Sequence, residues 1–368
     1  MAVRTAHHYY DAQSGDTGAV TFLDSAIVGF DEGLSDFLSA VRQTSGRVPV
    51  LILGDSARVT PAFDRLTEMA GALPLIRDDR GYRLMRGGLW APRVADFLTR
   101  GSTSISSLSP RHLIRQNLID VIYVSASLYH PAKASAIVGR SVELIAEAFA
   151  PAGEVGISWG RYEPAGASWD CAEITALARR KMPAIDLTIA LHGEGFTATG
   201  TMSINRTRLG IEEYVELAVA VPGRDSSEHE PRALALLRTL SQETRPQFVL
   251  VTRTKGFPDA SLPTSARVPA SPVAVLIGRA GLKQLGVTPS VVAEQHGGSV
   301  EGVGRRLNLV VPLTTAAPGD WAPLIRLIET LDQEGTTTVA RVLGHSGQAD
   351  DAPPGGPASR RTNPASGA

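Results

Sequence analysis

The chain has 368 residues, 36 basic and 37 acidic side chains, a net charge of −1 and a single cysteine, Cys171. The charge balance gives no global attraction to nucleic acid or to an anionic membrane. One cysteine excludes an intramolecular disulfide framework or a CxxC zinc site. With 43% hydrophobic and 20% charged residues, the chain can bury a substantial core, and its length suggests two domains. Only Lys133, Lys181, Lys255 and Lys283 are lysines, an arginine excess best explained by a high-GC coding bias.

The stretch 1–18 lacks the apolar core of a signal peptide and reads as a flexible polar terminus; His7 and His8, adjacent in sequence, point apart on any regular element. No apolar run is long enough to span a bilayer, so membrane insertion is not expected, and a cytoplasmic location is. Val20–Val28 reads as a strand, and Leu34, Phe37, Leu38 and Val41 share one helical face. Val48–Leu53 is a continuous apolar run of the buried parallel kind, followed by Gly54-Asp55-Ser56. Thr60-Pro61 predicts a helix start, and Asp78-Asp79-Arg80-Gly81 a hairpin turn. These elements form a β-α-β-α-β unit over 19–101, with a Ser-rich linker at 102–116.

The larger part, 117–335, begins with a strand over Leu118–Leu128 broken by His130-Pro131. A helical stripe follows at Val138, Val142, Ile145 and Phe149, then a strand over Val155–Tyr162. Asp170 predicts a helix cap, with Glu173 three residues on. Three successive strands, Ile185–Leu191, Ala198–Ile204 and Glu213–Val221, favour a mixed sheet over a purely parallel one. Pro231 opens a helix; Phe248–Thr252, Val273–Ile277 and Asn308–Leu313 are strands; Asp320 caps a last helix. The segment 346–368 has the composition of a disordered tail. The fold class is α/β with mixed α+β character.

Chemistry is less legible. Gly156-Ile157-Ser158-Trp159-Gly160 matches the G-x-S-x-G elbow of serine hydrolases, with Asp186 or Asp259 and His296 in suitable chain order. The elbow needs a helix after the turn, and Arg161–Gly166 is no helix start, so Ser158 is a candidate nucleophile whose context fails. Cys171 begins a helix, where thiols become acidic, yet Asp170 beside it opposes a thiolate. Gly54, Asp55 and Ser56 occupy the usual ligand position after a strand of an open α/β sheet. Gly193–Gly195 reads as a hairpin turn, and the glycines from Gly297 to Gly304 with Arg305 and Arg306 as a candidate anion site, though neither follows a strand-to-helix fingerprint. Arg179-Arg180-Lys181 reads as the basic end of a helix, and Glu212, Glu213 and Glu216 as a solvated strand face. No metal site and no cofactor are expected.

Several blocks resemble an actinobacterial protein family of unknown function: Arg47–Gly54 with Ala57–Thr60, Arg77–Tyr82, Trp159–Pro164 with Trp169-Asp170, and Ile204–Thr207 through Gly210–Glu213. The order of the blocks agrees from about residue 20 to about residue 335. Members are commonly encoded beside type VII secretion components, and the family carries no established catalytic residues. The lack of a complete catalytic motif and the resemblance together point to a cytoplasmic accessory or interaction protein without enzymatic activity, and an apolar sheet edge or face left open would need a protein partner or a second copy to cover it. Trp159 and Glu163, beside Gly54, Asp55 and Ser56, are candidate binding residues; a serine hydrolase using Ser158 and a small-ligand-binding α/β protein are the alternatives.

Overall fold

In the computed structural model the described residues are 7–332, except 16, 45, 100, 101, 103, 106, 107, 115, 151–153, 221–225, 303–306, 314 and 316. The tail over 346–368, part of the 102–116 linker and the two arginines at 305 and 306 lie outside them. The fold is mixed α/β, as its alternating apolar patterns predict.

The N-terminal unit is a six-stranded sheet with helices Glu32–Gln43 and Pro61–Met69 on one side. Its centre is the predicted run Val48–Leu53, parallel to both Gly18–Leu23 and Leu73–Asp78. The Asp78–Gly81 turn closes the hairpin to Gly81–Leu84. Ala12–Ser14, in the terminus expected to be flexible, pairs antiparallel with Gly18–Val20. The single strand read over Val20–Val28 is two strands, because Ile27–Val28 leaves the main sheet. It pairs with Arg58–Val59, which pairs in turn with Leu262–Pro263 from far along the chain. This three-stranded ribbon ties the unit to the larger part.

The larger part is built on a ten-stranded sheet in which every adjacent pair is antiparallel. Among the described strands, parallel pairing belongs to the N-terminal unit and its ribbon, so this sheet is narrower in kind than the mixed sheet expected. Short hairpin connections such as Gly193–Phe196, with Gly195 at φ +63°, make that order possible. One face carries Arg140–Phe149, Cys171–Lys181 and His229–Glu243, whose Val142, Ile145, Phe149, Ile174, Leu237 and Leu240 pack on inward residues of the strands.

The opposite face is also covered. At one end lie helices Arg279–Leu285, Pro289–His296 and Ala322–Leu331, packed on Val275, Ile277, Leu309 and Val311. Towards the centre lies the N-terminal unit, whose helix Pro61–Met69 faces the strand Phe196–Thr207. This explains why Ser271–Ile277 is buried at every position, as its unbroken apolar run predicts.

The seam between the N-terminal unit and the sheet is polar. Asp64 receives both Arg267 guanidinium nitrogens at 2.6 and 3.2 Å and Arg86 at 3.0 Å. Burial alone would raise its pKa; the Arg267 and Arg86 guanidiniums reverse that and hold its carboxyl below the usual range. Arg65 meets Glu216 at 2.6 Å and stacks over the Tyr214 ring. Arg83 is only 1% exposed and donates to the Thr264 carbonyl at 2.6 Å.

Two substitutions test these layers. Phe149→Ala, which empties the centre of the helix-covered core, should lower unfolding stability by about 3–5 kcal/mol in urea titrations. Arg267→Ala should cost about 1–3 kcal/mol, because it strips a buried carboxylate of its main partner. The double variant Arg267→Ala with Asp64→Asn should recover part of that loss.

Candidate functional site

The three-stranded ribbon brings two helix starts side by side. Asp31 caps Glu32–Gln43, its Oδ1 accepting from the Leu34 amide at 2.7 Å, while its Oδ2 accepts from the Tyr9 hydroxyl at 2.8 Å. Thr60 caps Pro61–Met69 by accepting from the Phe63 amide at 3.1 Å, as the Thr60-Pro61 pair predicts. The Thr60 amide in turn donates to the Val28 carbonyl at 3.0 Å, so the two caps lie in one layer.

Glu163 enters between them from the connection that follows the strand Gly156–Gly160. Its amide donates to the Phe30 carbonyl at 2.9 Å. Its Oε2 accepts from the Phe30 amide at 2.7 Å and from the Thr60 hydroxyl at 2.6 Å. The Thr60 hydroxyl thus donates to Glu163 while accepting from Phe63, using both of its capacities. Gly29 permits the approach: a Cβ there would stand 3.0 Å from Glu163 Oε2. Thr188, donating to the Gly160 and Tyr162 carbonyls, pins the connection to the sheet. Burial pushes the Glu163 carboxyl above its usual range, against the lowering effect of the Thr60 and Phe30 hydrogen bonds.

Beside this carboxylate is a cavity of about 420 Å³. Gly29, Asp31, Thr60 and Glu163 form one wall, and Ala190, His192 and Thr199 of the sheet form the other. That size falls in the range of small-molecule sites.

Of the residues singled out from sequence, Glu163 lines this cavity. Trp159 does not: it is 6% exposed in the helix-side core, its indole donating to the Ser168 carbonyl at 3.0 Å. Gly54, Asp55 and Ser56 lie elsewhere, at the end of Val48–Leu53, where Asp55 is bound by Arg111 and lies 3.5 Å from Arg83. Ser158 sits mid-strand, paired to Ser168 on one side and Ala190 on the other, its hydroxyl donating to the Ala190 carbonyl at 3.3 Å. The strand-to-helix turn of a nucleophile elbow is absent there. Its sequence partners are spent separately: Asp186 on Ser203, Asp259 on Ser261 and Arg58, His296 on Thr330. Cys171 donates to Glu143 at 3.3 Å, and burial, with that carboxylate beside it, pushes the thiol up to about 12.

The acidic face expected to be solvated is buried instead. Glu213 is 1% exposed and accepts from the Gly139 amide at 2.9 Å and from the Ser141 hydroxyl, at the start of Arg140–Phe149; His130 lies 2.9 Å away. Glu212 accepts from Ser127 at 2.9 Å. Helices cover one face of this strand and the N-terminal unit the other, so Glu212 and Glu213 are buried on either side. Asp31, Thr199 and His192 were not read as site residues. Their convergence depends on the ribbon and the hairpin, and no local spacing signals it.

Among the described residues, no three His, Cys, Asp or Glu side chains gather as a metal-binding group, and no helix is long and apolar enough to cross a membrane. A family model described as DUF6177, C-terminal domain, matches residues 121–333. No curated protein and no solved structure matches the chain.

Glu163 carries a pH signature. The folded chain holds its proton to higher pH than the unfolded chain does, so stability falls as pH rises from the usual carboxyl range through the raised value. Glu163→Gln keeps an acceptor for Phe30 and Thr60 without that titration. Urea midpoints compared across about pH 4 to 8 should converge at the acid end and favour the variant at the alkaline end.

Proposed function

The chain belongs to the DUF6177 family, a family of unknown function, and we propose that it is a non-catalytic accessory protein that works by binding. The observation that carries this reading is the position of Ser158. A nucleophilic serine needs an exposed hydroxyl, an adjacent base and amide donors for the oxyanion. Ser158 has instead a strand on each side and a hydroxyl committed to the Ala190 carbonyl. Cys171, the other nucleophile considered, has a thiol pushed up to about 12, which keeps it protonated at neutral pH.

The resemblance drawn from Trp159–Pro164 and Gly210–Glu213 adds the setting: a cytoplasmic role beside an actinobacterial type VII secretion system, through a protein partner or a second copy. The burial of Glu212 and Glu213 supports an anchoring use for one of those blocks rather than a catalytic one.

Two measurements test the reading. A fluorophosphonate probe should label wild-type protein no more than Ser158→Ala; labelling lost on that substitution would establish a serine hydrolase instead. Affinity capture from the native host, identified by mass spectrometry, should recover a secretion component, and its repeated absence from captures that recover other partners would remove the secretion setting.

A further inference from the structure

We propose that the cavity beside Glu163 is a binding site for a small organic cation, an alkyl ammonium or guanidinium compound. The first ground is the state of the carboxylate. Oε2 of Glu163 is occupied by the Phe30 amide and the Thr60 hydroxyl, whereas Oε1 has no hydrogen-bond partner among the described residues. A carboxylate oxygen left open in a cavity of this kind is an acceptor awaiting a donor, and a charged donor makes the stronger bond.

The second ground is the sign of the lining. Asp31 and Glu163 contribute carboxylates, and among the described residues no lysine or arginine lines the space. Phosphorylated and carboxylated compounds would meet like charge with no cation to offset it, which costs affinity. Among the described lining residues, His192 is the other titratable group.

The third ground is shape and polarity. Thr199 adds a hydroxyl-bearing residue to the lining, while Ile27, Pro164 and Ala165 give it an apolar part. Ile27 is otherwise an exposed large apolar side chain at 41%. An alkyl chain of a few methylenes ending in an ammonium or guanidinium would cover that apolar stretch and bring its N–H donors to Glu163 Oε1. The walls come from three distant parts of the chain: the two capped helix starts, the Glu163 connection and the hairpin carrying His192 and Thr199. A ligand there would therefore bear on how the N-terminal unit sits against the sheet.

The site is tested by calorimetry and thermal shift on the full chain with agmatine and putrescine as probes, and glycerol and inorganic phosphate as neutral and anionic controls. Agmatine should bind saturably at millimolar or lower concentration and raise Tm, while the controls do neither. Glu163→Gln should weaken binding by about tenfold or more. Ala190→Phe, which fills the cavity from the sheet wall and leaves the Glu163 contacts in place, should abolish binding while the protein still melts cooperatively. Absence of saturable binding by both cations would overturn the proposal. So would equal binding of the controls, or undiminished binding in a folded Ala190→Phe protein. None of these results bears on Ser158, so failure here leaves the non-catalytic reading to its own probe experiment.

Discussion

Everything in this molecule follows from the need to cover both faces of a sheet ten strands wide. Its central strands run 10 to 12 residues, long enough that two layers of side chains must leave water. Three helices answer for one face with ordinary apolar packing. The other face is divided between the C-terminal helices and the N-terminal unit, and the two solutions differ in kind. The C-terminal helices pack through leucine and valine, whereas the N-terminal unit adds arginine–carboxylate contacts by Asp64, Arg65, Arg267 and Glu216 to the apolar packing of Leu262, Tyr123 and Tyr162 against its core.

A polar seam has consequences that an apolar one lacks. Buried ion pairs contribute little net stability, because desolvation offsets most of their attraction, but removing one partner is costly. Such a seam fixes orientation more than it adds strength. The ribbon of Ile27–Val28, Arg58–Val59 and Leu262–Pro263 does the same in backbone form. Together they set where the two capped helix starts stand, and so where Glu163 finds its donors.

How much of this the sequence carried depends on how local each signal is. Val48–Leu53, the Thr60-Pro61 start, the Asp170 cap and the Gly193–Gly195 turn are short-range features, and each forms as its residues predict. Asp170 accepts from the Ala172 and Glu173 amides, a contact that needs nothing outside its own turn. Glu212 and Glu213, adjacent and so on opposite faces of their strand, are both buried because layers from elsewhere in the chain cover both faces, which no local pattern reports. Helix Pro289–His296 buries only Val292 and Ala293 and leaves Val291 exposed, so the sequence carries no apolar stripe for it. Arg83 in a strand gives no warning that its partner is the Thr264 carbonyl, 181 residues away. The cavity is likewise invisible, since Gly29, Glu163 and Thr199 acquire a relation only when the layers close.

The fate of the reactive-looking groups then has a single physical explanation. A polar atom buried in forming two covered faces must find a partner inside the protein or lose about 1–3 kcal/mol of stability. Ser158 takes the Ala190 carbonyl, Cys171 takes Glu143, and Glu213 takes the Gly139 amide with Ser141. Each of these groups is thereby held by a neighbour within the protein. Glu163 is held by the same rule at Oε2 alone. Half of its acceptor capacity satisfies the Phe30 amide and the Thr60 hydroxyl beside the two helix starts, and Glu163 also lines the cavity, so a residue that holds the N-terminal unit also keeps an oxygen without a hydrogen-bond partner among the described residues.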